Sequence, residues 1–171
     1  MQTRLFTKGK TNMKTSIYMP MAAMFLAAAL AGSAAAENQV RFSGSVQGRE
    51  LDVPAPPTLS VDGSGTGIAT QLGKFTVTWK VTVNLLDGSG IGSMHLIAAN
   101  GDSIFTTLVG QGVETDTPGV DSIMEINTIT GGTGRFAGAK GSFTVERLVD
   151  LTTGFTSGSF HGTITSPGAA H

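Results

Sequence analysis

The sequence predicts an all-β domain, an eight-stranded antiparallel up-and-down barrel, behind an N-terminal export leader. Three observations lead there. From Asn38 to His171 no stretch long enough for a helix has helical periodicity, whereas β-branched and aromatic residues alternate with Thr, Ser and Gly almost throughout. Turn-forming clusters separate these runs, as at Asp87-Gly88-Ser89-Gly90, Asn100-Gly101 and Thr152-Thr153-Gly154. So long a meander would leave exposed strand edges unless it closed on itself, which favours a barrel over an open sandwich.

The leader is read from residues 1–36. Lys14 opens a short basic segment, Met19 to Leu30 is apolar apart from Pro20, and Ala34-Ala35-Ala36 has the small-x-small form of a signal-peptidase site. Met13 is the more natural start. The apolar run is shorter than the ~20 residues of a spanning helix, so cleavage should leave no stable membrane anchor and deliver the protein to the periplasm or the exterior. The barrel domain is expected over 37–165 and a flexible tail over 166–171. All twelve acidic residues and seven of the eleven basic ones lie beyond residue 36, leaving that part at a formal −5. Such a body lacks the basic patch that a nucleic-acid partner needs. With no cysteine, disulfides, thiol catalysis and cysteine-based metal sites are excluded.

Val40, Phe42 and Val46 mark a first strand ending near Gly48. Pro54 to Gly67, dense in proline and glycine, reads as a long surface loop, and Gly67 to Leu72 as a short strand. Lys74 to Leu85 carries the clearest pattern: Phe75, Val77, Trp79, Val81, Val83 and Leu85 fall on one face and Thr76, Thr78, Lys80, Thr82 and Asn84 on the other. A one-residue slip would turn every one of those apolar side chains into water, so the register is strongly specified. Gly92 to Ala99, Ser103 to Gly112, Val120 to Thr130, Ser142 to Asp150 and Phe155 to Thr165 complete the count. Ile91, Ile97, Phe105 and Val109 put apolar side chains on the second face as well, which calls either for cover by the protein's own loops or for a subunit interface, a dimer or trimer.

Between the strands at Val120 and Ser142 lies Gly131-Gly132-Thr133-Gly134-Arg135-Phe136-Ala137-Gly138-Ala139-Lys140-Gly141. Gly132, Gly134 and Ala137 satisfy the letter of a dinucleotide fingerprint, but that motif requires a helix next, and Ser142-Phe143-Thr144-Val145 alternates as a strand. Gly131, Gly132, Thr133, Gly134, Phe136 and Gly141 are therefore read as a structural turn, and no cofactor is expected. The run resembles the turn of the allene oxide cyclase and dirigent barrel superfamily, Gly-Gly-Thr-Gly-basic-Phe-x-x-Ala-x-Gly. The resemblance extends to Asp150, Thr153 and Gly154 in the next hairpin and to Leu108 and Gly110 in an earlier strand. It implies an eight-stranded barrel with an apolar cavity, trimeric in many plant members, some of which cyclise a fatty-acid epoxide or orient coupling phenoxy radicals. It carries over no catalytic residue, because the matching positions belong to turns and packing.

Phe75, Trp79, Val81 and Phe143 are the candidate cavity-lining, ligand-binding residues. Glu125, among Ile123, Met124 and Ile126, is expected to face solvent; turned inward it would be an acid or base in an apolar cavity. Arg147 shares a face with Phe143 and Val145, placing its stem on the core and its head near a barrel end, either to meet an anion or to snorkel to water. His95, His161 and His171 lack metal-site spacing, and no metal is expected. The favoured reading is an exported barrel that binds a small apolar molecule or serves as a non-catalytic interaction module. The alternatives are an isomerase or cyclase working through Glu125 and Arg147, and a structural envelope protein.

Overall fold

The computed structural model describes residues 39–165 and Pro167. The predicted leader and nearly all of the predicted tail lie outside them. Strands β1 (Gln39–Ala55), β2 (Thr58–Ala69), β3 (Gly73–Asn84), β4 (Ser89–Ala98), β5 (Ser103–Glu114), β6 (Val120–Gly132), β7 (Gly141–Asp150) and β8 (Phe155–Thr165) follow one another around the barrel. Each pairs antiparallel with its neighbours, and β1 closes the ring on β8, with Gln39 opposite Thr165 and Arg49 opposite Phe155. The fold is the predicted closed, eight-stranded barrel.

One expectation fails over Pro54 to Gly67. β1 continues through Pro54, a two-proline turn follows at Pro56-Pro57, and β2 occupies most of the supposed loop. Val61, Gly63, Gly65, Gly67 and Ala69 turn inward, while Ser60, Asp62, Ser64, Thr66 and Ile68 turn outward. The inward glycines answer a packing need. A β-carbon on Gly63 would occupy the place of the Trp79 indole, and one on Gly67 would meet the Phe75 ring. The short strand expected at Gly67–Leu72 is therefore the end of β2 and the turn after it. Leu85 departs from the β3 face for a related reason: β3 ends at Asn84, so Leu85 lies in the turn, half exposed.

The interior is layered. At one end Phe42, Phe143 and Phe160 form a triangle with ring centroids 5.2, 5.1 and 5.2 Å apart, with Phe75 at 6.2 Å from Phe160. Such edge-on and tilted pairs add ~0.5–1.5 kcal/mol each beyond the burial of their area. The glycine-rich corner closes this end. Gly131 and Gly132 finish β6 beyond a bulge that shifts the β5 register between Phe105 and Thr106, a short 3-10 turn spans Gly134–Phe136, and Gly141 starts β7. Phe136 is fully buried, and Thr133 and Ser103 exchange backbone and side-chain hydrogen bonds at 2.9 Å. Gly134 has φ of +54°, and a β-carbon there would strike the Asp102 carboxylate; only glycine fits both demands.

Candidate functional site

The opposite end of the barrel holds a buried ionic cluster. Alternation along β7 brings Phe143, Val145, Arg147 and Val149 inward in succession, so Arg147 projects into the interior past two apolar layers. On the neighbouring strand β6, Glu125 pairs with Val145 in the register and also turns inward. It is only 3% exposed, contrary to the expected solvent-facing side chain. The reason is geometric: Arg147 meets its carboxylate through two hydrogen bonds, Nε to Oε2 at 3.3 Å and Nη2 to Oε1 at 3.2 Å. Gly110 on β5 leaves the room, since a β-carbon there would press on Glu125 Cγ at 2.9 Å.

The third partner comes from the part of β1 that reads as loop. Glu50 accepts from Arg147 Nη1 at 2.7 Å and from the Trp79 indole N–H at 3.1 Å. Arg147 Nη1 also donates to Thr156 Oγ1 at 3.0 Å, and that hydroxyl donates to the Leu148 carbonyl at 2.8 Å. The guanidinium lies 5.6 Å from the Trp79 ring centroid. Neither Glu50 nor Thr156 stands out in the sequence; the one available signal was the inward parity that Glu50 shares with Phe42 and Val46. Arg147 thus ties β1, β6 and β8 to its own strand instead of snorkelling to water.

The four predicted cavity residues, Phe75, Trp79, Val81 and Phe143, are all buried in the interior, and the space they enclose is small. A void of about 20 Å³ remains between Trp79, Met94, Val145, Arg147 and Thr156. That is room for one water molecule. Above it, Thr106 donates to Asn127 Oδ1 at 2.7 Å, while Asn127 Nδ2 has no partner among the described residues. No trio of His, Cys, Asp or Glu among the described residues is arranged to hold a metal ion. His161 is exposed on the outer wall, and His95 stacks on Phe105 there with centroids 4.5 Å apart.

No family model, curated protein or solved structure matches the chain.

Burial raises the Glu50 carboxyl above its ordinary value even though Arg147 and Trp79 pull the other way. Burial likewise raises Asp52, with Arg147 opposing and Asp121 adding to the rise, and it raises Asp121, helped by Glu114. Asp52 Oδ1 is buried without a hydrogen-bond partner among the described residues. For Arg147, burial alone would lower the pKa, but Glu125 and Glu50 outweigh it and hold the group above its usual value. One permanent cation thus serves more carboxylates than it can neutralise.

The linkage has a definite sign. A carboxyl whose folded pKa is raised contributes stability that is complete below its unfolded value, ~4, and is lost as pH rises through the folded value. Glu50, Asp52 and Asp121 all act in this direction. Asp87 and Asp150, beside turns, are lowered, by hydrogen bonds from Ser89 and from Thr152 and Thr153, and their contribution disappears only as pH falls below the ordinary carboxylate range. The melting temperature should therefore climb as pH is lowered from about 7 toward about 5, and Glu50→Gln should flatten that climb. Differential scanning calorimetry across the interval checks it; a melting temperature that falls on acidification would contradict the cluster's charge balance.

Proposed function

We propose that the chain is an exported, non-catalytic interaction module of the allene oxide cyclase/dirigent-like barrel type, which joins copies of itself through the outer face of β4, β5 and β6. The observation that carries this reading is the contrast between a filled interior and an uncovered apolar exterior. Ile91, Val109 and Ile126 stand side by side across three strands, with Met124 on the adjoining row. Ile91 is 67% and Val109 56% exposed, and Met124 and Val113 are about half exposed. Such a contiguous apolar row on a folded domain marks an association surface.

The closed ring bears on the mode of contact. At Ile91, Val109 and Ile126 each strand is paired on both sides, so partners of this row must meet it face to face through side chains rather than by strand addition. A reaction chamber of the cyclase kind would need Trp79 and the phenylalanine triangle to move apart, and four of the five N–H groups of Arg147 are engaged by the protein's own oxygens. A small apolar ligand inside the barrel would meet the same obstacle.

Sedimentation velocity over a concentration series tests the proposal. A dimer or trimer is expected, and Val109→Glu, which places a charge in the row without touching the core, should release monomers that melt at the wild-type temperature. A wild-type chain that stays monomeric at several hundred micromolar would overturn it, as would retention of a small molecule in native mass spectrometry.

A further inference from the structure

The two ends of the barrel carry opposite charge. Every strand reverses direction, so the connections β1–β2, β3–β4, β5–β6 and β7–β8 gather at the end that holds Arg147, and the other three gather at the phenylalanine end. Backbone N–H groups tie the first set into one rim, donating from Leu85 to Pro57, Gly112 to Gly88, Leu151 to Gly119 and Glu50 to Gly154. Around it stand Asp52, Asp87, Glu114, Asp116, Asp121 and Asp150, with Arg49 as the one exposed cation there among the described residues. The opposite rim carries exposed Arg41, Lys74, Arg135 and Lys140, against Asp102 alone among the described residues.

Apolar side chains divide in the same way. In the connections of the basic end, Leu72 and Phe136 turn inward as buried plugs. At the acidic end Leu85, Leu86 and Leu151 turn outward, Leu86 to 85% exposure.

We propose that the barrels stack end to end, the acidic rim of one copy seated on the basic rim of the next. Both rims belong to one cylinder, so their outlines match. Lysine and arginine stems lie over the leucines while their charged heads reach the carboxylates, which joins apolar contact to charge complementarity. The contact is heterologous: each copy keeps one free rim of each kind, so the stack grows as an open chain. It does not rest on the association through β4, β5 and β6, which uses the side wall.

Other occupants fit the acidic rim less well. A second acidic rim would be repelled by like charge. No trio of His, Cys, Asp or Glu among the described residues is arranged to hold a metal ion. A bilayer of anionic lipid would repel the carboxylates that accompany the leucines.

Sedimentation velocity of the Val109→Glu chain, at several hundred micromolar, separates stacking from the side contact. In ~0.01 M salt, where charges act over ~30 Å, the average sedimentation coefficient should rise with concentration. In ~1 M salt, where they act over ~3 Å, it should return to the monomer value, a loss of roughly tenfold or more in affinity. In the same background, Lys74→Glu with Lys140→Glu should stay monomeric in low salt, and so should Glu114→Lys with Asp116→Lys, because each pair of changes spoils one rim. Mixed in equal amounts, these two proteins should form a dimer and stop there, since the first keeps an acidic rim and the second a basic one. All four side chains are exposed, so circular dichroism and melting should stay close to those of the parent. A parent that stays monomeric in low salt, association unchanged in high salt, a mixture that stays monomeric, or a mixture that grows beyond the dimer would each overturn the stacking. The apolar row is judged separately, because its association in the wild-type chain should survive high salt.

Discussion

Arg147→Met should cost the barrel ~3–5 kcal/mol, because removing one member of a buried ion pair leaves its partner charged and unpaired. Here two carboxylates are abandoned at once, since Glu125 and Glu50 both meet the guanidinium at hydrogen-bond distance. A domain of this size has ~5–15 kcal/mol in all, so the variant should sit close to the unfolding threshold. The loss belongs to the uncompensated charge rather than to the pair itself, and a triple change separates the two. Arg147→Met combined with Glu125→Leu and Glu50→Gln should recover most of the stability, since an apolar replacement of a buried ion cluster is often neutral. Equilibrium denaturation in urea measures both. A single variant that loses less than about 1 kcal/mol would mean that the cluster behaves as a solvated surface pair.

Gly63→Val should be at least as damaging, at roughly 3 kcal/mol or more, because an overfilled core must displace packed side chains. The new β-carbon would lie within the Trp79 indole, and Trp79 is buried with its N–H committed to Glu50. Pushing the ring aside breaks that hydrogen bond and shifts the guanidinium beside it. Trp79 is the chain's single tryptophan, so its fluorescence reports the displacement directly. The variant should show a red-shifted emission and an early thermal transition, and adding Trp79→Leu should restore part of the melting temperature. A native spectrum and unchanged melting would show that β2 can move away from β3.

These two residues also show what could be read from the chain and what could not. β3 was legible because large apolar residues alternate with threonine and lysine, and the register that this pattern demands is the one observed. β2 was not, because its inward positions are filled by glycine. Gly63, Gly65 and Gly67 recur at a period of two, which is the strand period, but their proximity to Pro54, Pro56 and Pro57 made them look like loop residues. Gly63 and Gly67 are small because Trp79 and Phe75 opposite them are large, and Gly65 because the β1 backbone at Gln47 and Gly48 lies too close for a side chain; that complementarity exists only after the register is known. Glu50 was hidden by the same error. Glu125 was visible as an anomaly in an apolar run, but its inward turn depends on an arginine more than twenty positions later in the chain.

The corner was legible in another sense. Its glycine density reads as a turn, and the structure places there the end of β6 beyond the bulge, the short 3-10 turn and the buried Phe136 plug. Residue spacing could not reveal the filled interior, since whether a barrel of this size holds a ligand depends on side-chain volumes summed over all its strands.

The last seam of the ring has a consequence in time. Gln39 and Thr165, which face each other at one end of the closing ladder, are 126 positions apart. Every other ladder joins strands that follow directly in the chain, so seven of the eight can zip locally as the polypeptide emerges. The eighth cannot form until the final strand exists, and contacts between remote parts of a chain are the slow ones. Until then the outer edge of β1 stays open to any passing strand. Whatever keeps that edge from pairing with a neighbouring chain has to act before the last eleven-residue strand is complete.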